Sequence, residues 1–549
     1  MKMNENATNQ GSGNGDRAAV EFDAIVVGAG VAGLYQLYLL RNMGLKVRLF
    51  DGSANVGGTW YWNRYPGARV DSPSYVYQYW FSDAILAEWD WSERFPDQPE
   101  IERYLNFVAD RCDLRKDIQF ETLITEADYD QAGKRWMVTT NHGDTVSTRF
   151  VVSCTGMLST PIAPPFPGRE TFRGTVVHTA RWPKDGVELA GKRVGVIGTG
   201  ATGMQVIQTI ASEVSHLTVF QRTAQYAIPM RNPRFTDADH AAYRAQYPEL
   251  KKQVQSTFAG FDTDLDPRAY RDLTPEERTA ALEALWADGS LSFWIGGFRE
   301  LFTDADINEE ISAFVREKIR ARVNDPEIAD TLTPTTHGFG LHRVPLETRY
   351  FEAYNRDNVE LVDVSHAPIV AFTETGLKTE VGEYDLDIII LATGFDAGTG
   401  SLARMNIHGR DGRSLTAQWQ QDIRSTLGLQ VHGYPNLFTV AGPLAPSTAF
   451  CNMTTCLQHQ VEWITDCIRY VRDHGGAAIE PTEEKEAEWV AHHDDVANST
   501  LLVKTNSWYM GANVEGKPRR LLSYIGGVGA YRQMCAEVKA SGYEGFVIT

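Results

Sequence analysis

The sequence predicts an α/β protein of two Rossmann-like units with a helical insertion. Three observations carry that prediction. A strand, glycine turn, helix and second strand occur twice, each time around Gly-x-Gly-x-x-Gly. The stretch 227–335 is rich in Ala, Glu, Arg and Asp and has few strand-like runs. The chain is 549 residues long, enough for about three to five folding units.

In the first unit, residues 22–27 read FDAIVV, a short apolar run suited to a buried parallel strand. Gly28-Ala29-Gly30-Val31-Ala32-Gly33 follows, then a helical pattern to about Met43 and a strand over 46–50 ending at Asp51. This is a dinucleotide-binding fingerprint. Gly28 permits the tight turn, Gly30 lets the backbone approach a pyrophosphate, and Gly33 lets helix and strand pack closely. The helix N-terminus, with Val31 and Ala32, offers N–H groups and partial positive charge to an anion. Asp51 is suited to accept hydrogen bonds from ribose hydroxyls. An acid there disfavours a 2′-phosphate, so this unit is expected to hold FAD or NAD.

The second unit runs from RVGVIG through Gly198-Thr199-Gly200-Ala201-Thr202-Gly203 and a helix bearing Gln205 to the strand HLTVF. That strand ends in Gln221-Arg222-Thr223, where the first unit ends in an acid. A guanidinium fork and a hydroxyl suit a 2′-phosphate, so this unit is expected to take NADPH.

The insertion carries its own start signal. Thr274-Pro275-Glu276-Glu277 reads as an N-cap, a proline at the first helical position and acids in the first turn. Its expected role is to cover a cleft and shape entry to it.

The composition bounds the partners. A net charge of −19 disfavours nucleic acid and anionic membranes. The segment 1–20 is polar and glycine-rich without a signal-peptide core, and reads as a disordered tail. The most apolar stretch, 22–40, contains Asp23, Gln36 and three glycines and is not a membrane span. Six scattered cysteines suit a reducing cytoplasm. Cys451 and Cys456 form a C-x4-C pair, which is expected to be reduced. No metal site is expected.

Two further motifs narrow the reading. Phe172, Gly174, His178 and Trp182 fall in the pattern F-x-G-x-x-x-H-x-x-x-W, closed by Pro183, and residues 57–71 read GGTWYWNRYPGARVD. With both glycine turns, these make the chain resemble the Baeyer–Villiger monooxygenases over roughly residues 22–545, most nearly the cyclopentanone and phenylacetone branches. The Thr-Gly segments 149–161 and 385–397 look like the crossings between the FAD and NADPH domains of such flavoproteins. Residues 434–443 resemble their final strand over the flavin. From the residues alone, Phe172 and Trp182 are equally good core aromatics, and His178 an equally good structural histidine. The resemblance makes them a functional fingerprint that links domains, outside the chemical centre.

The resemblance implies FAD and NADPH as cofactors. It implies a reaction in which a flavin C4a-peroxide, formed with O2, converts cyclic or arylaliphatic ketones to lactones or esters, with sulfoxidation as a side activity. An anionic oxidant and an anionic adduct call for a fixed cation, and arginine keeps its charge. Arg343 stands where the family's active-site arginine falls, and Asp71 resembles the carboxylate that positions it. His342 replaces a lysine that often precedes this arginine, leaving more of the 2′-phosphate to Arg222 and Thr223. Trp508, in SWYMGAN, resembles a mobile segment over the nicotinamide cofactor. Further cofactor contacts are expected at Gly58, Thr59, Trp60, Arg69, Tyr77 and Ile124. Phe450 and Met453 are expected pocket walls. The expected domains are an FAD domain at 21–165 and 386–549, an NADPH domain at 166–226 and 336–385, and the insertion at 227–335.

Three rivals stand beside this reading. A flavin monooxygenase of nitrogen or sulfur shares both turns, but its linker lacks Trp182-Pro183. A flavin disulfide reductase carries its cysteine pair just after the first turn, far from Cys451 and Cys456. A non-catalytic nucleotide-binding regulator has no use for Arg343 and Asp71 beside two complete sites.

Overall fold

The apolar run Phe22–Val27 forms a strand with parallel neighbours on both sides, Ala24 facing Val47 on one and Phe150 on the other. A strand paired on both edges and covered on both faces needs apolar side chains throughout, which is why this run does not alternate. The computed structural model describes residues 20–448 and 450–549, so the expected disordered tail lies outside the described residues except for Val20. The first sheet has eight strands. Ile124–Asp130, Arg135–Thr140 and Thr145–Ser153 form its antiparallel part; Val47–Phe50 and Ile118–Gln119 extend the parallel side. Leu437–Thr439 pairs with Thr145–Ser153, which brings the C-terminal half back onto the first unit.

The second sheet has five strands, all paired in parallel, in the order Val359–Asp363, His216–Gln221, Arg193–Ile197, Ile388–Leu391, Thr175–His178. All four residues of Ile388–Leu391 are buried. The expected boundary at 385/386 put this strand in the first unit, whereas its pairing makes it part of the second sheet. An apolar run shows that a strand is buried but not which sheet buries it.

The regular elements within 227–335 are helices, apart from the two-residue strand Ile228–Pro229, which pairs with Leu346–Glu347. The long helices are Asp237–Ser256, Pro275–Asp288 and Ala305–Arg320. The predicted start at Thr274 closes a capping box. Thr274 Oγ1 accepts from Glu277 N–H at 3.3 Å, and Glu277 Oε2 accepts from Thr274 N–H at 2.8 Å. A second box, at Thr236 and Asp239, starts the helix before it. The far end of the insertion is pinned by Arg322, whose guanidinium forks onto buried Glu347 and onto Glu352. Among the described residues, no helix is long and apolar enough to cross a membrane.

Candidate active site

Each glycine turn has a geometry that only glycine fills. Gly28 sits at φ +106°, and a Cβ on it would lie 2.5 Å from Cys154 O. A Cβ on Gly33 would lie 1.7 Å from Gly28 O, so helix Val31–Asn42 rests directly on its strand. Gly30 faces Gly58 backbone to backbone; a Cβ on Gly58 would fall 2.8 Å from Gly30 Cα. The cradle in front of this helix N-terminus is thus made of bare main chain, and the helix has no side-chain cap. It fits a pyrophosphate, which needs close approach and uncommitted N–H groups. Asp51 is buried. Its carboxylate accepts from Ala29 N–H and, at 2.7 Å, from Ser53 N–H, so it braces the turn as well as standing where a ribose hydroxyl is expected.

The second turn repeats the design. Gly198 lies at φ +104°, with a virtual Cβ 2.6 Å from Ala392 O; that of Gly203 falls 2.1 Å from Gly198 O. Gly200, at the N-terminus of helix Ala201–Ile210, has nothing within 4 Å of its virtual Cβ. That open side faces a cavity of about 1040 Å3. The cavity is lined by Thr199, Gly200, Ala201 and Thr202 from the turn, and by Arg222, Thr223 and His342 beside it. Thr199 Oγ1 donates to Thr223 O at 3.1 Å, joining the glycine turn to the end of the next strand. Backbone N–H groups, an exposed arginine and a hydroxyl around one cavity fit a phosphorylated dinucleotide.

On another wall of this cavity, Arg343 Nη2 donates to Asp71 Oδ2 at 2.8 Å. The two are 272 residues apart in sequence. Burial holds the Asp71 carboxyl above the usual range; the Arg343 guanidinium, then Leu346 N–H and Arg69, offset this only in part. Asp71 Oδ1 is buried and makes no hydrogen bond of good geometry, leaving an acceptor at the cavity wall. Arg343 also lies over the ring of Trp294, 5.2 Å from its centroid. Trp294 Nε1 donates to Gly340 O at 3.0 Å, so the loop carrying the arginine is moulded on the indole. Phe450 packs against Trp294 and Phe302, each at 5.4 Å between ring centroids, and Met453, Phe261, Leu291 and Ile295 complete an apolar wall.

The cavity also gathers Tyr77, Trp508 and both Thr-Gly segments, at Leu158 and at Thr393 and Gly394. Other expected contacts lie outside it. Gly58, Thr59 and Trp60 belong to the first cradle and the short helix behind it. Arg69 pairs with Glu93 and donates to Phe95 O. Ile124 is buried in a small core beside the first sheet. Gln205 accepts from Tyr65 O–H at 2.9 Å and donates to Arg69 O at 3.0 Å, tying the second unit to the first.

The fingerprint residues do not line the cavity. Phe172 packs in a core of the second unit, and Trp182 in the main core. A Cβ on Gly174 would strike Asp387 O at 2.3 Å. His178 Nε2 lies 3.3 Å from both Ile162 O and Thr393 Oγ1, at the crossing of the two Thr-Gly segments, and burial lowers its pKa. Burial thus favours the neutral ring at the joint between units.

Sequence reasoning missed Trp294 and His337. Trp294 had one signal, the apolar run SFWI inside a polar insertion. His337 had none. Its ring stacks on His342 at 3.8 Å and 11°. Burial and then the neighbouring imidazole push His337 down to about 3; burial pushes His342 down to about 4. Both are held below the value of about 6.5 expected in the unfolded chain, which therefore takes up protons first as pH falls. The stability tied to this pair is complete above about pH 6.5 and drains away as pH falls through about 4 and then about 3. Thermal melts at pH 7 and pH 5 are expected to show a smaller loss of Tm in a His337→Leu/His342→Leu variant than in the parent. An equal loss in both would show that the pair is not buried in neutral form.

The comparisons with known proteins agree with this geometry. A family model described as flavin-binding monooxygenase-like matches residues 23–230. The acetone monooxygenase (methyl acetate-forming) of Gordonia sp. (strain TY-5) is 56% identical over 528 residues, covering 96% of this chain and 99% of that protein. A Baeyer–Villiger monooxygenase of Pseudooceanicola batsensis is 40% identical over 537 residues, 97% of each chain. The crystal structure of the OTEMO complex with FAD and NADP superposes with a TM-score of 0.94 at 42% identity, over 97% of this chain and 100% of that one.

Proposed function

The chain belongs to the Baeyer–Villiger monooxygenases, FAD- and NADPH-dependent flavoproteins that turn ketones into esters or lactones, and on that premise we propose that it acts on short acyclic ketones with Arg343 as the cation that meets the ketone oxygen. The observation that carries the second part is Arg343, held by Asp71 and backed by Trp294, in the same cavity as the second glycine turn. The substrate class is supported by the relative that forms methyl acetate and by the bulk of Trp294 and Phe450 on the wall beside the arginine.

In this reading the cradle of Gly28, Gly30, Gly33 and Gly58 holds FAD with Asp51, and the turn 198–203 holds NADPH with Arg222, Thr223 and His342. Bound together, the two cofactors supply the hydride and the activated oxygen. Arg343 keeps a fixed positive charge where negative charge grows on the ketone oxygen as its carbonyl carbon is attacked. Asp71 holds the guanidinium plane, and Trp294 keeps water from its other face. Asp71 Oδ1, buried on the cavity wall without a good hydrogen bond, would be free to accept one from a bound coenzyme. The domains that go with this reading are an FAD unit from 21–165 and 392–549, an NADPH unit from 166–226 and 336–391, and the insertion 227–335, which supplies the apolar wall.

The test is a panel of acetone, butanone, cyclopentanone and phenylacetone with NADPH and O2, with products read by mass spectrometry. Methyl acetate from acetone, at a kcat/KM at least tenfold above the cyclic and aryl ketones, is expected. Trp294→Ala is expected to shrink that ratio at least tenfold by widening the wall. If the parent prefers the aryl ketone, or the variant leaves the ratio unchanged, the substrate assignment fails. If ketones return unchanged while sulfides or amines are oxygenated, the role given to Arg343 falls with it.

A further inference from the structure

Cys451 and Cys456 bracket the four residues that lead from the pocket loop into helix Met453–Asp473. The expectation of a reduced pair is corrected here: the structure joins them as a disulfide. Their Cα atoms are 6.5 Å apart, a separation a disulfide spans without moving the backbone. Sequence spacing does not reveal this, because it leaves open whether a turn folds the two side chains together.

The position of the pair matters more than its bond. Cys451 lines the cavity that holds Arg343 and directly follows Phe450, whose ring packs on Trp294. Cys456 sits on the first turns of the helix, its N–H bonded to Asn452 O at 3.1 Å. Asn452, between them, donates its N–H to Ala259 O at 2.8 Å and Nδ2 to Val76 O at 2.6 Å. The staple thus joins the pocket wall to a helix anchored on both the first unit and the insertion. The other four cysteines do not line the cavity.

We propose that Cys451 and Cys456 form a reversible redox site: hydrogen peroxide in the cavity oxidises the dithiol to the disulfide, which locks the wall of the ketone pocket. The proposal rests on reading this cavity as the ketone site. Hydrogen peroxide is the two-electron product of O2 reduced at the expense of NADPH whenever no ketone is oxygenated. The Cys451 thiolate attacks one peroxide oxygen; the O–O bond breaks, and the departing hydroxide takes the thiol's proton to leave as water. The Cys456 thiolate then attacks the resulting sulfenic sulfur. The S–S bond forms, the S–O bond breaks, and a second water leaves. The two thiols lose two electrons and two protons, and one peroxide gains them. A dithiol reductant reverses the step by exchange. Peroxide made by unproductive turnover thereby acts on the pocket that failed to use the oxygen.

The test uses the full-length, FAD-loaded enzyme, reduced with dithiothreitol and desalted. One arm receives hydrogen peroxide, and another receives NADPH and O2 without ketone, with and without catalase. Cysteines are alkylated and read by peptide mass spectrometry. The 451–456 pair is expected to lose its alkylation sites at least tenfold faster than the other four cysteines, to be protected by catalase, and to regain them with dithiothreitol. The ketone KM is expected to differ at least threefold between the two forms. Cys451→Ser and, separately, Cys456→Ser are expected to remove that response to peroxide. A pair that stays closed in dithiothreitol, stays open while other cysteines oxidise, or closes with no change in KM overturns the proposal. If neither form turns over a ketone, the pocket assignment fails separately, and the peptide readout still decides the thiol chemistry.

Discussion

Arg343→Ala is expected to lower ketone oxygenation by about 100- to 1000-fold, the cost of removing one preorganised charge donor from a reacting oxyanion. Reduction of the bound flavin by NADPH, followed anaerobically by its absorbance, is expected to persist, because the second glycine turn and Arg222 are separate from Arg343 on the cavity wall. The substitution also strands Asp71, whose carboxyl is buried and whose Oδ1 already lacks a good hydrogen bond. Leaving a buried charge unpaired is costly, so some loss of thermal stability is expected as well. Arg343→Lys separates the two effects. It keeps a charge beside Asp71 but not the planar fork, and is expected to recover stability while oxygenation stays well below the parent. If Arg343→Ala oxygenates ketones at the parent rate, or fails at flavin reduction, the assignment of Arg343 to the oxygen-transfer half of the reaction is wrong.

Gly33→Ala is expected to weaken FAD binding by up to about 100-fold, or to yield protein free of flavin. The added Cβ would sit 1.7 Å from Gly28 O and 2.9 Å from Gly28 C, and neither atom is the end of a flexible side chain. The helix must therefore lift away from the strand, carrying its N-terminal N–H groups off the pyrophosphate. Overpacking costs about 1–3 kcal/mol, and about 1.4 kcal/mol corresponds to a tenfold change in affinity. Gly200→Ala is the contrast, since nothing in the chain lies within 4 Å of its virtual Cβ. It is expected to leave flavin content and Tm unchanged and to raise the KM for NADPH, because the methyl enters only the space the coenzyme uses. Flavin absorbance per chain and NADPH saturation curves read both. Full flavin content in Gly33→Ala would show that the first turn is not the FAD cradle.

The parts of this protein legible in its sequence are those whose geometry is set by near neighbours. The glycines of both turns and the cap at Thr274 each follow from backbone sterics or local hydrogen bonding over a few residues. The motifs at 57–71 and 172–183 pointed to the family, and the relatives bear that out. What the residues of the second motif do was less legible. Phe172, Gly174 and Trp182 occupy packing positions and His178 sits behind the cavity lining at Ile162 and Thr393, roles their spacing alone does not distinguish from contact with a substrate.

Tertiary structure decided the rest. It placed Ile388–Leu391 in the second sheet, brought Trp294 from the insertion under Arg343, stacked His337 on His342, and closed Cys451 onto Cys456 at the cavity wall. Each of these depends on which distant surfaces meet when apolar area leaves water. That driving force is non-directional and leaves no periodic mark on the chain, whereas a turn that only glycine can make is written at a single position.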